Sequence, residues 1–189
     1  MLELDKRSQM GPSPLPEIRY LPGFVAHPES LFLQVQRETV WDERMAARRT
    51  ASFGVAYNYS GISYPDVAMP EAIGRLASDI AGAVAHPINN CLANLYRDGG
   101  STMGFHSDST AELAPESTVA VLSLGHARTL TFRRKEDRLR RLEYLLAPGS
   151  LLIMMPSVQA EWQHALLKAT DAGPRISLTF RHILCPTAS

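Results

Sequence analysis

Apolar and polar residues alternate most regularly near the C-terminus, in Pro174-Arg175-Ile176-Ser177-Leu178-Thr179-Phe180-Arg181. Successive side chains of a strand point to opposite faces, so a strand here sets Ile176, Leu178 and Phe180 against Arg175, Ser177, Thr179 and Arg181. Shorter runs of the same kind predict strands over 88–96, 118–124, 128–134, 141–146, 150–155 and 162–167, punctuated by Gly125, Pro148-Gly149, Pro156 and Gly173-Pro174. Two stretches have helical spacing instead. Pro28-Glu29 opens one that runs to about Trp41 and offers Leu31, Phe32, Val35 and Val40 for burial. Pro70-Glu71 opens the other, striped with Ile73, Leu76, Ala77, Ile80 and Val84, closed by His86-Pro87 and expected on the outside of a barrel. Residues 18–25 read as a short strand or loop. Residues 1–16, polar and then proline-rich, read as a flexible arm ahead of a single domain over 17–189. Many short strands without crossover helices between them predict a mainly β chain with flanking helices (α+β), a jelly-roll rather than a βαβ fold.

Composition narrows the picture. A chain of 189 residues, 45% of them hydrophobic, suits one domain with a substantial core. The formal net charge is zero, so no global field draws the chain to nucleic acid and any such binding must rest on local patches. Two basic clusters offer themselves: Arg44, Arg48 and Arg49, and the stretch Arg133, Arg134, Lys135, Arg138, Arg140 and Arg141 with Glu136 and Asp137 embedded. A solvated linker and a solvated turn are the plainer accounts of each. Cys91 and Cys185 have neither disulfide density nor metal-ligand spacing and read as reduced thiols. No apolar run reaches the length of a membrane span, and the N-terminal residues lack a basic-then-apolar leader pattern. A cytoplasmic monomer is the resulting expectation.

Candidate chemistry sits in Asn94-Leu95-Tyr96-Arg97-Asp98-Gly99-Gly100-Ser101-Thr102-Met103-Gly104-Phe105-His106-Ser107-Asp108. His106 and Asp108, two apart in extended chain, point to the same side and can reach one metal ion. They supply two-thirds of a 2-His-1-carboxylate triad, the ligand set of non-haem Fe(II) with open positions. His164 is the choice for the third ligand, since a strand at 150–155, a short connection and a second strand would return it across a barrel mouth. His27-Pro28-Glu29 has a similar form but reads as a helix start. Arg175 and Arg181 on one strand face imply a bound dicarboxylate or a buried acidic partner, because guanidinium suits bidentate carboxylate recognition.

These residues carry a resemblance. Asn94-X-Tyr96, His106-X-Asp108, Ser123-Leu124-Gly125 followed by Arg128, Trp162-X-His164, and Arg175 with Arg181 occur in the order seen in AlkB-like dioxygenases, over roughly residues 49–182. The resemblance implies a double-stranded β-helix using Fe(II), with 2-oxoglutarate and O₂ as co-substrates. His106, Asp108 and His164 would bind the iron. Arg175, helped by Tyr96, would pair with the distal carboxylate of 2-oxoglutarate, with Asn94 and Arg181 at its metal-chelating end. The stretch Tyr57-Asn58-Tyr59-Ser60-Gly61 resembles part of a substrate-covering lid, which makes Tyr57 and Arg49 candidate substrate contacts. The implied reaction removes N-alkyl groups from bases of DNA or RNA, the repair type, releasing formaldehyde, succinate and CO₂.

The chain departs from the family pattern at three points. Thr110 stands where repair members usually carry an acid near the target base, Ser177 replaces an asparagine, and Leu167 a common proline. A hydroxyl is a poorer partner than a carboxylate for a cationic base, so Thr110 bears on substrate choice. The alternative is the same oxygenase chemistry on a small molecule, peptide or protein. A non-catalytic reader of modified nucleic acid is a third possibility, against which the complete triad argues.

Overall fold

The computed structural model describes residues 15–184. In chain order the elements are β1 (Ile18–Leu21), α1 (Pro28–Glu38), β2 (Arg49–Gly54), β3 (Tyr57–Tyr59), β4 (Ile62–Tyr64), α2 (Glu71–Val84), β5 (Asn90–Tyr96) and β6 (Met103–His106). There follow β7 (Val119–Gly125), β8 (Arg128–Arg134), β9 (Arg141–Leu146), β10 (Leu151–Met154), α3 (Pro156–Glu161), β11 (Trp162–Leu166) and β12 (Arg175–Arg181). A six-stranded sheet runs β1-β10-β7-β12-β5-β2, a four-stranded sheet β6-β11-β8-β9, and β3 and β4 form a separate hairpin. All strand pairs are antiparallel. The chain is thus mainly β with few helices, as the alternation predicts.

β12 lies between β5 and β7, and every one of its residues is buried. Its alternation therefore separates two interiors rather than core from solvent. Ile176, Leu178 and Phe180 join Ile73, Leu76, Ala77 and Ile80 of α2 in one apolar cluster that also holds Ala93 and Leu95. Each large aliphatic buried there contributes about 1.5–3 kcal/mol. Arg175, Ser177, Thr179 and Arg181 instead face a cavity shared with the four-stranded sheet, whose His106, Leu130 and His164 line its other side.

The helices begin where the sequence requires, but α1 ends at Glu38, short of Trp41, and leaves Val40 exposed. Pro28 occupies the first turn of α1. α2 stops at Ala85, which takes a left-handed conformation (φ 59°) two residues before Pro87. The β3–β4 connection is Ser60-Gly61 with φ of 51° and 77°, the positive pair that a type I′ hairpin needs. At Gly99 a Cβ would lie 1.7 Å from the Ala169 carbonyl oxygen, so only glycine allows the close approach that ties the turn after β5 to the loop after β11.

Two further elements depart from the sequence expectation. Residues 49–54 are a strand, where a basic linker was the plainer account; Ala51 and Phe53 bury one face against the helices. The connection between β10 and β11 is a turn and a half of helix begun by Pro156. Most of the arm at 1–16 lies outside the described residues, as does Cys185. Cys91 is free and buried, and burial pushes its thiol pKa up.

Candidate active site

Cross-strand register assembles the site. β11 pairs with β6 so that His164 faces His106, and their ring centroids are 4.4 Å apart. Asp108 follows β6 by two residues, and its backbone N–H donates to Gln159 Oε1 of α3 at 2.8 Å. The ligand-capable atoms of His106, Asp108 and His164 all lie within 4.8 Å of one another. His106 Nδ1 is 2.9 Å from the Gly104 carbonyl, an acceptor that favours the Nδ1–H tautomer and leaves the Nε2 lone pair for a ligand. Phe132 packs against the His164 ring at 5.7 Å.

The electrostatics prepare two of these groups as ligands. Burial alone would raise the Asp108 carboxyl, but Arg181 and the two imidazoles outweigh it and hold the pKa below the usual range. Arg181 Nη2 donates to Asp108 Oδ1 at 3.0 Å, with both residues almost fully buried. Burial pushes His164 down to about 4 against the pull of Asp108, so its imidazole is neutral at pH 7. Asp108 Oδ2 and His164 Nδ1 are buried with no hydrogen-bond partner among the described residues. A buried carboxylate oxygen left without a donor, beside two imidazoles, is what a divalent cation satisfies.

Further along the same cavity is a buried cation without an anion. Arg175 is 2% exposed; its Nε donates to Ser123 Oγ at 3.0 Å, and its guanidinium carbon lies 5.4 Å from the centre of the Tyr96 ring. It has no carboxylate within 4.0 Å among the described residues, and burial pushes its pKa down to about 10. Asn94, Tyr96 and Arg175 line the cavity together with the triad and Arg181. All seven residues assigned from sequence to metal or 2-oxoglutarate thus meet in one place. Arg128, buried behind them, donates to the carbonyls of Asp98, Ser101 and Leu167 and so fixes the turn leading into β6.

A second, outer cleft of about 430 Å³ opens onto His106 and Asp108 and is lined by Tyr57, Asn58 and Tyr59 of the hairpin and by Phe105. Tyr57 is 3% exposed and its ring covers Arg181 at 5.0 Å. Arg49 does not reach the cleft: it pairs with Glu43 at 2.6 Å. Arg48 takes that place, its Nε donating to Asn94 Oδ1 at 2.9 Å and its Nη2 to the Tyr59 hydroxyl at 2.6 Å. The cross-strand register decides this. Thr50 faces Asn94 in the β2–β5 register, and Arg48 shares its parity while Arg49 does not. Thr110 is exposed and lines a separate pocket beside Leu113 and Gln159. No local pattern marks Gln159, because its role depends on α3.

The chain belongs to the 2OG-Fe(II) oxygenase superfamily, whose model matches residues 27–181. Within it the chain is AlkB-like. It is 34% identical over 148 residues to the DNA oxidative demethylase ALKBH2 of Mus musculus, covering 72% of this chain and 62% of that protein. It is 32% identical over 196 residues to the alpha-ketoglutarate-dependent dioxygenase alkB homolog 3 of Bos taurus, covering 92% of this chain and 68% of that one. The match to ALKBH2 thus spans somewhat less than two-thirds of that relative's length. The structure of OsALKBH1 superimposes with a TM-score of 0.65 at 16% identity, over 90% of this chain and 100% of that one, which establishes the shared fold. The Fe(II), 2-oxoglutarate and O₂ of this family fit the residues present. Among the described residues Asp108 Oδ2 has no hydrogen-bond partner, which suits the metal, and Arg175 has no anion, which suits a carboxylate.

Proposed function

We propose that this protein is an Fe(II)- and 2-oxoglutarate-dependent dioxygenase that removes N-alkyl groups from nucleobases. The observation that carries the reading is the pairing, in one cavity, of a His106–Asp108–His164 cluster with the buried Arg175. The names of its relatives, a DNA oxidative demethylase among them, support the substrate class.

His106, Asp108 and His164 would hold the iron, and Arg175 the distal carboxylate of 2-oxoglutarate, with Tyr96 alongside. When bound, the iron and co-substrate supply an O₂-derived oxidant for a C–H bond, yielding succinate and CO₂, and the hydroxylated alkyl group leaves as formaldehyde. The chain's own contribution is placement and exclusion of water. Arg181 keeps Asp108 ionised and oriented through Oδ1, leaving Oδ2 for the metal. The Gly104 carbonyl fixes the His106 tautomer. The β3–β4 hairpin acts as the lid, with the largely buried Tyr57 and Tyr59 forming part of the wall of the outer cleft that would receive a base. Arg48 fastens the lid to the barrel by binding Asn94 and Tyr59 at once. An alkyl group held near the triad by this cleft is positioned for oxidation, which is the larger part of what the protein must supply.

The test is mass spectrometry of short DNA and RNA oligonucleotides bearing 1-methyladenine or 3-methylcytosine, incubated with protein, Fe(II), 2-oxoglutarate and O₂, with His106→Ala as control. Loss of one methylene mass coupled to succinate is the expected result. Succinate without any change in the oligonucleotides would overturn the nucleobase reading and keep the oxygenase.

A further inference from the structure

The β8–β9 hairpin carries more positive charge than its neighbours neutralise. Arg134 has Glu161 at 3.5 Å and Glu136 at 3.8 Å, and Asp137 caps the Leu139 N–H. Arg133, Arg138, Arg140 and Arg141 have no carboxylate within 4.0 Å among the described residues. Arg133 is fixed in place: its Nε and Nη2 donate to Gln163 Oε1 at 3.0 and 2.8 Å, and its guanidinium carbon sits 3.9 Å from the centre of the Phe105 ring. Arg141 approaches the same ring at 5.8 Å. Phe105 is half-buried and lines the outer cleft next to His106. At the turn, between Arg138 and Arg140, Leu139 is 93% exposed.

A cluster of unpaired guanidinium groups on a chain of zero net charge is a local anion site, because screening confines its pull to about one Debye length, ~8–10 Å. Free anions would need only the charges. The aromatic ring between the charges and the cleft adds a stacking surface, and stacking beside phosphate neutralisation is how unpaired nucleic acid strands are held. A base inside a duplex has both faces already stacked and cannot use that ring.

We propose that Phe105 and the β8–β9 hairpin bind the single-stranded segment flanking the target base. A neighbouring base stacks on the Phe105–Arg133 pair, and the phosphates beyond it meet Arg138 and Arg141. Leu139, apolar at the turn, lies where it can cover a further base. This path rests on the nucleobase reading of the cleft and assigns the strand a direction away from it, over β6 toward the end of β8.

The experiment measures binding by fluorescence anisotropy, with a labelled single-stranded oligonucleotide and its duplex, across a salt series. Wild-type protein is compared with R138A/R141A and with Phe105→Ala. Losing two phosphate contacts should reduce the slope of log affinity against log salt by about 1.4, at about 0.7 per phosphate on single strands. Phe105→Ala should weaken single-strand binding by about tenfold with the slope kept, and Phe105→Trp should restore it. Turnover of a methylated mononucleoside should be equal in R138A/R141A and wild type. An unchanged salt slope in the double variant, or wild-type preference for the duplex, would overturn the proposal. Absence of dealkylation with the slope changes intact would overturn the function proposed above and leave this surface standing.

Discussion

Replacing Arg175 with methionine should separate two quantities that ordinarily fall together. The guanidinium is 2% exposed, without a carboxylate partner among the described residues, and burial takes its pKa from 12.5 to about 10. At about 1.4 kcal/mol per pH unit, that displacement is a folding penalty of about 3 kcal/mol on the charged form. A cation with a lowered folded pKa carries this penalty in full at neutral pH and sheds it only as pH rises above about 10. Methionine removes the charge and keeps much of the volume, while forfeiting the hydrogen bond to Ser123 Oγ, about 1–1.5 kcal/mol. The penalty is the larger figure, so the ligand-free melting temperature should hold or rise. A carboxylate bound to Arg175 gains a charge-assisted contact of about 1.5–3 kcal/mol. Its loss should raise the KM for 2-oxoglutarate by about tenfold to a hundredfold. The assays are calorimetry of the metal-free protein and succinate formation against 2-oxoglutarate at fixed metal. A lower melting temperature with an unchanged KM would refute the reasoning and make Arg175 a structural residue.

Asp108→Ala strips a metal ligand and also leaves Arg181 buried without its partner, so it should abolish metal binding and lower stability by about 3–5 kcal/mol, checked by metal content and urea unfolding. Histidine 106 has no such partner, and His106→Ala should lose metal with far less effect on unfolding. Arg48→Ala should reduce turnover by freeing the hairpin, whereas Arg49→Ala, which breaks only a pair exposed on the Glu43 side, should change stability by under about 1 kcal/mol and leave turnover intact. For the metal-free protein, His164 falls from 6.5 to about 4 on folding, so the unfolded state holds more protons between those values. Stability should therefore drop by about 3 kcal/mol as pH falls through that window, and a His164→Gln variant followed by pH-dependent melting should lose that component.

The legible part of this molecule was whatever depends on parity within a strand. Arg175 to Arg181 announces its two faces because alternation survives even when both are buried, and the spacing of His106 and Asp108 pointed to one metal site although Asp108 lies just past the end of β6. What escaped was decided between strands. Arg48 and Arg49 are chemically alike in the chain; only the pairing of Thr50 with Asn94 sends one into the cleft and the other to Glu43. Thr110 is the sharper case. Counting from Asp108 places it at the base, yet the chain leaves β6 at His106 and the loop carries Thr110 to the pocket beside Gln159. The acid of this loop that reaches the hairpin is Glu112, which accepts from Asn58 Nδ2 at 2.6 Å. Introducing Thr110→Asp should accordingly leave activity on a cationic methylated base unchanged within about twofold, because its carboxylate would face that separate pocket rather than the cleft. A large gain in turnover would mean that the loop rearranges around substrate, and that spacing along the chain was a better guide there than the geometry of the free protein.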